Sequence, residues 1–195
     1  MPTFRESLAA GGRVVPGAER GDEPIELVEY DPSWPARFGE IRGRLAAGLG
    51  DVAGRIDHVG STAVPGLAAK PVVDIQVSVA DVEDDAEFRA PIEAQGFVLR
   101  FVEPGHRYFR PPPPLPRLWQ VHVCSLGSKW ERDHLLFRDY LRAHPERADA
   151  YAELKWRLAA EHHQDRIAYT DAKGPFIEET LALAEEWARD VGWRP

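Results

Sequence analysis

One strand limits the folds open to this chain. Pro71-Val-Val-Asp-Ile-Gln-Val-Ser-Val79 carries β-branched residues at 72, 73, 75, 77 and 79, a density that suits the interior of a sheet and not its edge. Asp74 stands in the middle of that strand, where a carboxylate is costly unless a partner or a metal balances it. The 195 residues are 44% hydrophobic and include 6 Trp, 5 Tyr and 8 Phe. That suffices for the core of one domain, or of a small core with a helical appendage.

Further strands are expected at Ile25-Glu-Leu-Val-Glu29, Arg55-Ile-Asp-His-Val59, Phe97 to Phe101, Arg107 to Arg110 and Leu118 to Cys124. Between them, Asp31-Pro32 opens a helix whose apolar stripe is Trp34, Phe38, Ile41, Leu45 and Leu49, and an acidic helix runs from Asp81 to Gln95-Gly96. Pro111-Pro-Pro-Pro114 with Pro116 cannot donate ladder bonds and reads as a surface loop. From Ser128 the period becomes helical. Ser128-Lys-Trp-Glu131 fits a capping box, Pro145 starts a second helix, and Thr170-Asp171 opens a third. The expected organisation is a flexible leader over 1–24, a mixed α/β core over 25–127 and a helical part over 128–195 packed on it.

Composition excludes several classes. No apolar run approaches the ~18 residues of a membrane span, and Met1-Pro-Thr-Phe-Arg-Glu6 lacks the apolar stretch of a secretory signal. Cys124 is the single cysteine, which rules out an internal disulfide framework and a Cys-rich zinc site and fits a reducing cytoplasm. A net charge of -8 argues against general nucleic-acid or anionic-membrane binding, while leaving room for a local basic pocket.

The chemistry concentrates in His58-Val-Gly-Ser-Thr-Ala-Val-Pro-Gly-Leu-Ala-Ala-Lys-Pro71 and the strand after it. Gly60 lets a ligand approach the backbone, and Ser61 and Thr62 add hydroxyls, an arrangement suited to phosphate. The run is not a Walker loop: five residues separate Gly60 from Gly66, and Leu67 stands where the lysine belongs. The plainer alternative is a glycine turn with a buried Asp74 that caps a loop.

Gly-Ser followed by an aspartate on the next strand resembles the polymerase-β type of nucleotidyltransferase. More specifically, Val28-Glu-Tyr-Asp-Pro-Ser-Trp-Pro35 together with the His58–Pro71 run resembles the GrpB family. The likeness continues through Phe137-Arg-Asp-Tyr-Leu-Arg-Ala-His-Pro-Glu146, Tyr151-Ala-Glu-Leu-Lys155 and Tyr169-Thr-Asp-Ala-Lys173, and covers about 25–180. It implies a nucleotidyltransferase-like α/β mixed sheet with a C-terminal helical segment. It further implies a nucleoside triphosphate (NTP) as substrate, a small-molecule acceptor, and Mg²⁺ held by paired carboxylates. Alternate strand positions face one side, so 74 and 76 can share a metal. Position 76 is Gln, however, and the later strand offers His122 in place of a third acid, so the implied metal set is Asp74, Gln76 and His122, with Asp74 catalytic.

The implied phosphate and nucleotide contacts are His58, Gly60, Ser61, Thr62, Lys70, Arg138, Arg142, Lys155, Tyr169 and Lys173. Each has an ordinary alternative. Arg138 and Arg142 are four apart and share a face, but Asp139 and Glu146 can pair with Arg142. Tyr169 either stacks on a base or packs as a helix-cap aromatic. His58 either donates to phosphate or is a satisfied strand histidine. Two functions follow: an enzyme that transfers a nucleotidyl group, or a nucleotide- or metabolite-binding module that has lost the chemistry.

Overall fold

The computed structural model describes residues 4–16 and 24–195. Six strands form one mixed sheet: β1 Arg13–Val14, β2 Arg55–Val59, β3 Val73–Val79, β4 Val98–Glu103, β5 His106–Arg110 and β6 Trp119–Ser125. Their order is β1-β4-β5-β6-β3-β2; β3 and β6 run parallel and every other pair is antiparallel. The β-branched strand is thus interior, as its composition requires.

Strand parity divides the sheet into two chemically different faces. Val73, Ile75, Val77 and Val79 point to one side and pack on the helix α2 Trp34–Leu49 and the short helix α3 Arg89–Ala94. Trp34, Ile41, Leu45 and Leu49 of the predicted stripe are buried there. A fully buried Ile41 or Leu45 is worth about 2–3 kcal/mol of hydrophobic stabilisation. Asp74, Gln76 and Ser78 point to the opposite face, which is covered by α4 Lys129–Ala143, α5 Pro145–Glu161, α6 Arg166–Asp171 and α7 Gly174–Val191.

Ser128 caps α4 as expected, its Oγ accepting from the Glu131 N–H at 3.2 Å. The Glu131 carboxylate does not return to Ser128 but accepts from the Gly127 N–H at 2.6 Å. The C-terminal part holds four helices where three are expected: Asp165 caps α6 through the N–H groups of Ile167 and Ala168, so Tyr169 and Thr170 lie inside a helix and do not open one.

Three other expectations need correction. Residues 4–16, expected within the flexible leader, form the helix α1 Phe4–Ala9 and β1, which pairs Arg13 with Val102 and Val14 with Phe101. The edge of β4 offers unpaired backbone groups that β1 satisfies. Gly12 permits the approach, since a Cβ there would lie 2.7 Å from the Phe101 ring of β4 and 2.6 Å from the Ser7 carbonyl oxygen. The rest of that leader, 1–3 and 17–23, lies outside the described residues. Ile25 to Glu29 contributes one bridge, Val28 to Ala69, and no strand. The acidic segment from Asp81 is helical only over Arg89–Ala94. The proline run joins β5 to β6 as a loop, exposed from 113 to 116. Among the described residues no helix is long and apolar enough to cross a membrane.

Candidate functional site

A cavity of about 410 Å³ opens between the Asp74 face of the sheet and the helices α4 to α7. Asp74 forms part of its floor beside the turn that follows β2. Gly60 adopts φ 70°, ψ -171°, a conformation open essentially to glycine, and a Cβ on it would lie 2.5 Å from Asp74 Oδ2. The missing side chain is what lets the carboxylate lie against the turn. Ser61 and Thr62 follow in a single 3-10 turn, Ser61–Ala63. The acid is neither withdrawn from the cavity nor capped by main-chain amides: it faces His122 Nε2, 3.7 Å from Oδ1. Burial pushes the Asp74 carboxyl up, but His122, Lys70 and Arg117 outweigh it and hold the group below its ordinary value.

Seven basic side chains line this cavity: Lys70, Arg100, Arg110, Arg117, Lys155, Arg166 and Lys173. Asp74 and Glu103 are the acids among the described lining residues. In a chain of net charge -8 this is a strong local reversal of sign. Lys155 is 2% exposed; it rides the inward stripe of α5 between Tyr151 and Leu158 and donates to Ser61 Oγ at 3.1 Å and to the Ala68 carbonyl. Lys70 and Lys173 flank the ring of Tyr169 at 5.3 and 4.8 Å from its centroid. Tyr169 is 1% exposed and its ring is engaged by these lysines, so it is a packed aromatic and no platform for a base.

A histidine chain crosses the floor. Glu103 Oε1 lies 2.7 Å from His106 Nδ1, and His106 Nε2 lies 2.9 Å from His122 Nδ1. Burial pushes His106 down to about 4, so it is neutral near pH 7. Glu103 is desolvated too, yet its bond to His106 helps hold it below its ordinary value, hence ionised. His106 therefore donates through Nδ1 and accepts at Nε2. His122 then donates its Nδ1–H to His106 and turns its Nε2 towards Asp74 Oδ1, 3.7 Å away. Glu103-Pro-Gly105 is the tight turn of the β4–β5 hairpin.

The structure brings Gly60, Ser61, Thr62, Lys70, Asp74, His122, Lys155, Tyr169 and Lys173 to this cavity, and it places four expected residues elsewhere. Arg138 donates to the His58 carbonyl at 3.0 Å and to Asp139 at 2.7 and 3.0 Å, and Arg142 donates to the Ala63 carbonyl at 2.9 Å. Both staple α4 to the outer side of the turn and line a separate groove with Tyr30 and Phe38. His58 points to the α2 side of β2, because it neighbours Val59, which pairs with Asp74. There its Nε2 lies 2.9 Å from Thr62 Oγ1, its ring stacks on Phe38, and burial pushes it down to about 4. Gln76 is fully buried where α4 crosses β2 and β6, and its amide has no hydrogen-bond partner.

Those positions bear on the paired-carboxylate set that the resemblance implies. Mg²⁺ prefers several hard oxygen ligands in near-octahedral geometry. The implied set offers one accessible carboxylate, a sealed amide and an imidazole, and among the described residues no three His, Cys, Asp or Glu side chains converge as a metal site. The donor set does not fit a paired-carboxylate Mg²⁺ site.

Arg117, Arg166, Arg100 and Arg110 were not foreseen; His106, after Glu103-Pro-Gly105, was expected as a lip over the site, but not its bond to Glu103. Period-two alternation along β5 and β6 places His106, Tyr108 and His122 on one face once the strands are paired. Arg110 follows the same alternation along β5, while Arg100, Arg117 and Arg166 carry no comparable local signal.

A mixed sheet roofed by helices defines the class: an α/β protein with a basic cavity at a glycine-serine turn. The chain belongs to the GrpB family, whose description "GrpB protein" matches residues 24–183. A UPF0157 protein of Halalkalibacterium halodurans is 40% identical over 164 residues, 82% of each chain. A second, from Streptomyces coelicolor, is 41% identical over 160 residues, 80% of this chain and 83% of that one. The crystal structure of conserved protein GrpB from Enterococcus faecalis superposes with a TM-score of 0.72 at 33% identity, covering 83% of this chain and 99% of that one. A protein of Mycolicibacterium paratuberculosis named dephospho-CoA kinase is 32% identical over 198 residues, 88% of this chain but 49% of its own length.

Proposed function

We propose that this protein binds a nucleoside triphosphate in the cavity and transfers its nucleotidyl group to a small acceptor. The observation that carries the reading is the meeting of Gly60, Ser61 and Asp74 with seven basic side chains in an acidic chain. Lys70, Lys155 and Lys173 neutralise the phosphates, and Ser61 anchors one of them beside the turn. Asp74 and His122 orient the acceptor hydroxyl. As that oxygen attacks the α-phosphorus and pyrophosphate leaves, its proton passes to the Asp74 carboxylate, whose partner His122 is held in place by His106 and Glu103. Positioning and charge neutralisation supply the rate enhancement, without a step assigned to Mg²⁺. The relatives named dephospho-CoA kinase carry the matched stretch in about half of their length, which adds nucleotide-related company to the same fold.

The experiment is pyrophosphate release from each of the four NTPs with hydroxyl-bearing acceptors. Turnover that is lost in Asp74→Ala, with the fold intact by circular dichroism, supports the enzyme. Turnover that survives Asp74→Ala refutes the role given to Asp74. The lone accessible carboxylate favours a second reading, a module that binds a nucleotide or metabolite without reaction. NTP binding that is indifferent to Mg²⁺, with no pyrophosphate release, decides for it.

A further inference from the structure

Three lysines meet at one end of the cavity without a carboxylate bonded to any of them. Lys70 precedes β3, Lys155 lies on α5 and Lys173 sits at the N-cap of α7. Among the described residues Lys129 is the lysine that forms a carboxylate pair, at 2.5 Å from Asp133; these three form none. Their contacts are neutral oxygens and ring faces: Ser61 Oγ and the Ala68 carbonyl for Lys155, Tyr169 for Lys70 and Lys173, and Tyr151 for Lys155 at 4.7 Å. The charged groups that face them add to the imbalance. Arg117, Arg166 and Lys173 act on Lys70, Lys173 acts on Lys155, and the opposing anion is Asp74.

We infer that this cluster seats the terminal phosphate dianion of the ligand, and that binding draws protons from solution onto the lysines. The inference rests on the nucleotide reading above and adds its ligand class and its coupling. Burial first, and like charge second, pushes Lys70 and Lys155 down to about 7; burial alone brings Lys173 to about 8. Near pH 8 the cluster is therefore largely neutral in the empty cavity. A dianion among the three amines restores the charged form of each. A phosphodiester, with one charge, restores less, so the site favours nucleotides that end in a phosphomonoester or polyphosphate.

The test is calorimetric titration of the full chain with ATP at pH 8, in buffers of different ionisation heat. At that pH the terminal phosphate has already lost its proton (second ionisation near about 6), so any proton taken up goes to the protein. The expected uptake is roughly two protons per ATP at pH 8, falling towards none at pH 6, with affinity dropping at least about tenfold per pH unit above 7. Lys70→Arg, charged at every pH, should still bind ATP and lower the uptake by about one proton. Lys173→Arg serves in its place if circular dichroism shows Lys70→Arg unfolded. ATP binding with no buffer-dependent heat, or uptake unchanged in the arginine variant, overturns the inference and leaves the nucleotide reading standing. Failure of ATP to bind at any pH overturns the nucleotide reading, and this one with it.

Discussion

The sharpest mutational consequence of the site concerns Gly60. A methyl added there meets two separate obstacles. The backbone at φ 70°, ψ -171° is disfavoured for any residue with a Cβ, at a cost of about 1–3 kcal/mol. The new carbon also lies 2.5 Å from Asp74 Oδ2 and 3.1 Å from Cγ, below the contact distance of real side chains, so the carboxylate must swing off the turn. Gly60→Ala should therefore lower unfolding free energy by about 2–4 kcal/mol in urea titration, the backbone term plus about 1 kcal/mol for the displaced acid. Nucleotide affinity should fall even where the variant is folded. A double-mutant cycle separates the terms. In an Asp74→Ala background the Oδ2 and Cγ contacts vanish and the nearest remaining atom is Cβ at 3.2 Å, so the second Gly60→Ala penalty should shrink to the backbone part. A Gly60→Ala protein within about 0.5 kcal/mol of the parent, or an identical penalty in both backgrounds, would refute the reasoning.

Other consequences are as direct. Arg138→Met removes bonds to Asp139 and to the His58 carbonyl; it should destabilise by about 2–3 kcal/mol in chemical denaturation while leaving nucleotide affinity of the folded protein unchanged, since Arg138 is outside the cavity. Gln76→Met removes a sealed, unpartnered amide and should be neutral or stabilising by up to about 1–2 kcal/mol; a loss above about 2 kcal/mol would mean that the amide is satisfied by buried water. Burial holds His58 and His106 at about 4 in the fold against an unfolded value of 6.5, so the unfolded chain binds more protons between those values and stability should fall as pH drops from 6.5 to 4. The same sign holds for the lysines. Folded near 7–8 and unfolded at 10.5, they make stability of the ligand-free protein rise with pH from about 7 to about 10, a trend thermal melts can read and ATP should flatten.

What the sequence conveyed and what it withheld divide along physical lines. The interior strand, the α2 stripe and the Gly60–Ser61–Asp74 constellation were legible because density of β-branched residues, period and glycine placement act locally. Lys155 entered through the family resemblance alone, and the structure seats it between Tyr151 and Leu158 on the buried side of α5. His58 misled because its orientation depends on parity relative to a partner strand: one residue from Val59, it faces α2 and not the cavity. Arg138 and Arg142 share a helix face, but which side of the turn that face meets is set by how α4 crosses β2. Tyr169 is closed by two lysines from distant segments. The helix α1 and strand β1 depend on an open β4 edge that no local pattern reveals.

Co-crystallisation with a non-hydrolysable nucleoside triphosphate analogue bears most directly on the idea that an anion is gripped where the glycine turn, the carboxylate and the lysines come together. The account predicts its phosphates against Ser61, Lys70, Lys155 and Lys173, with Asp74 and His122 beside the α-phosphorus. Phosphates lodged in the Tyr30–Arg142 groove, or on the outer surface with the cavity left to solvent, would contradict it.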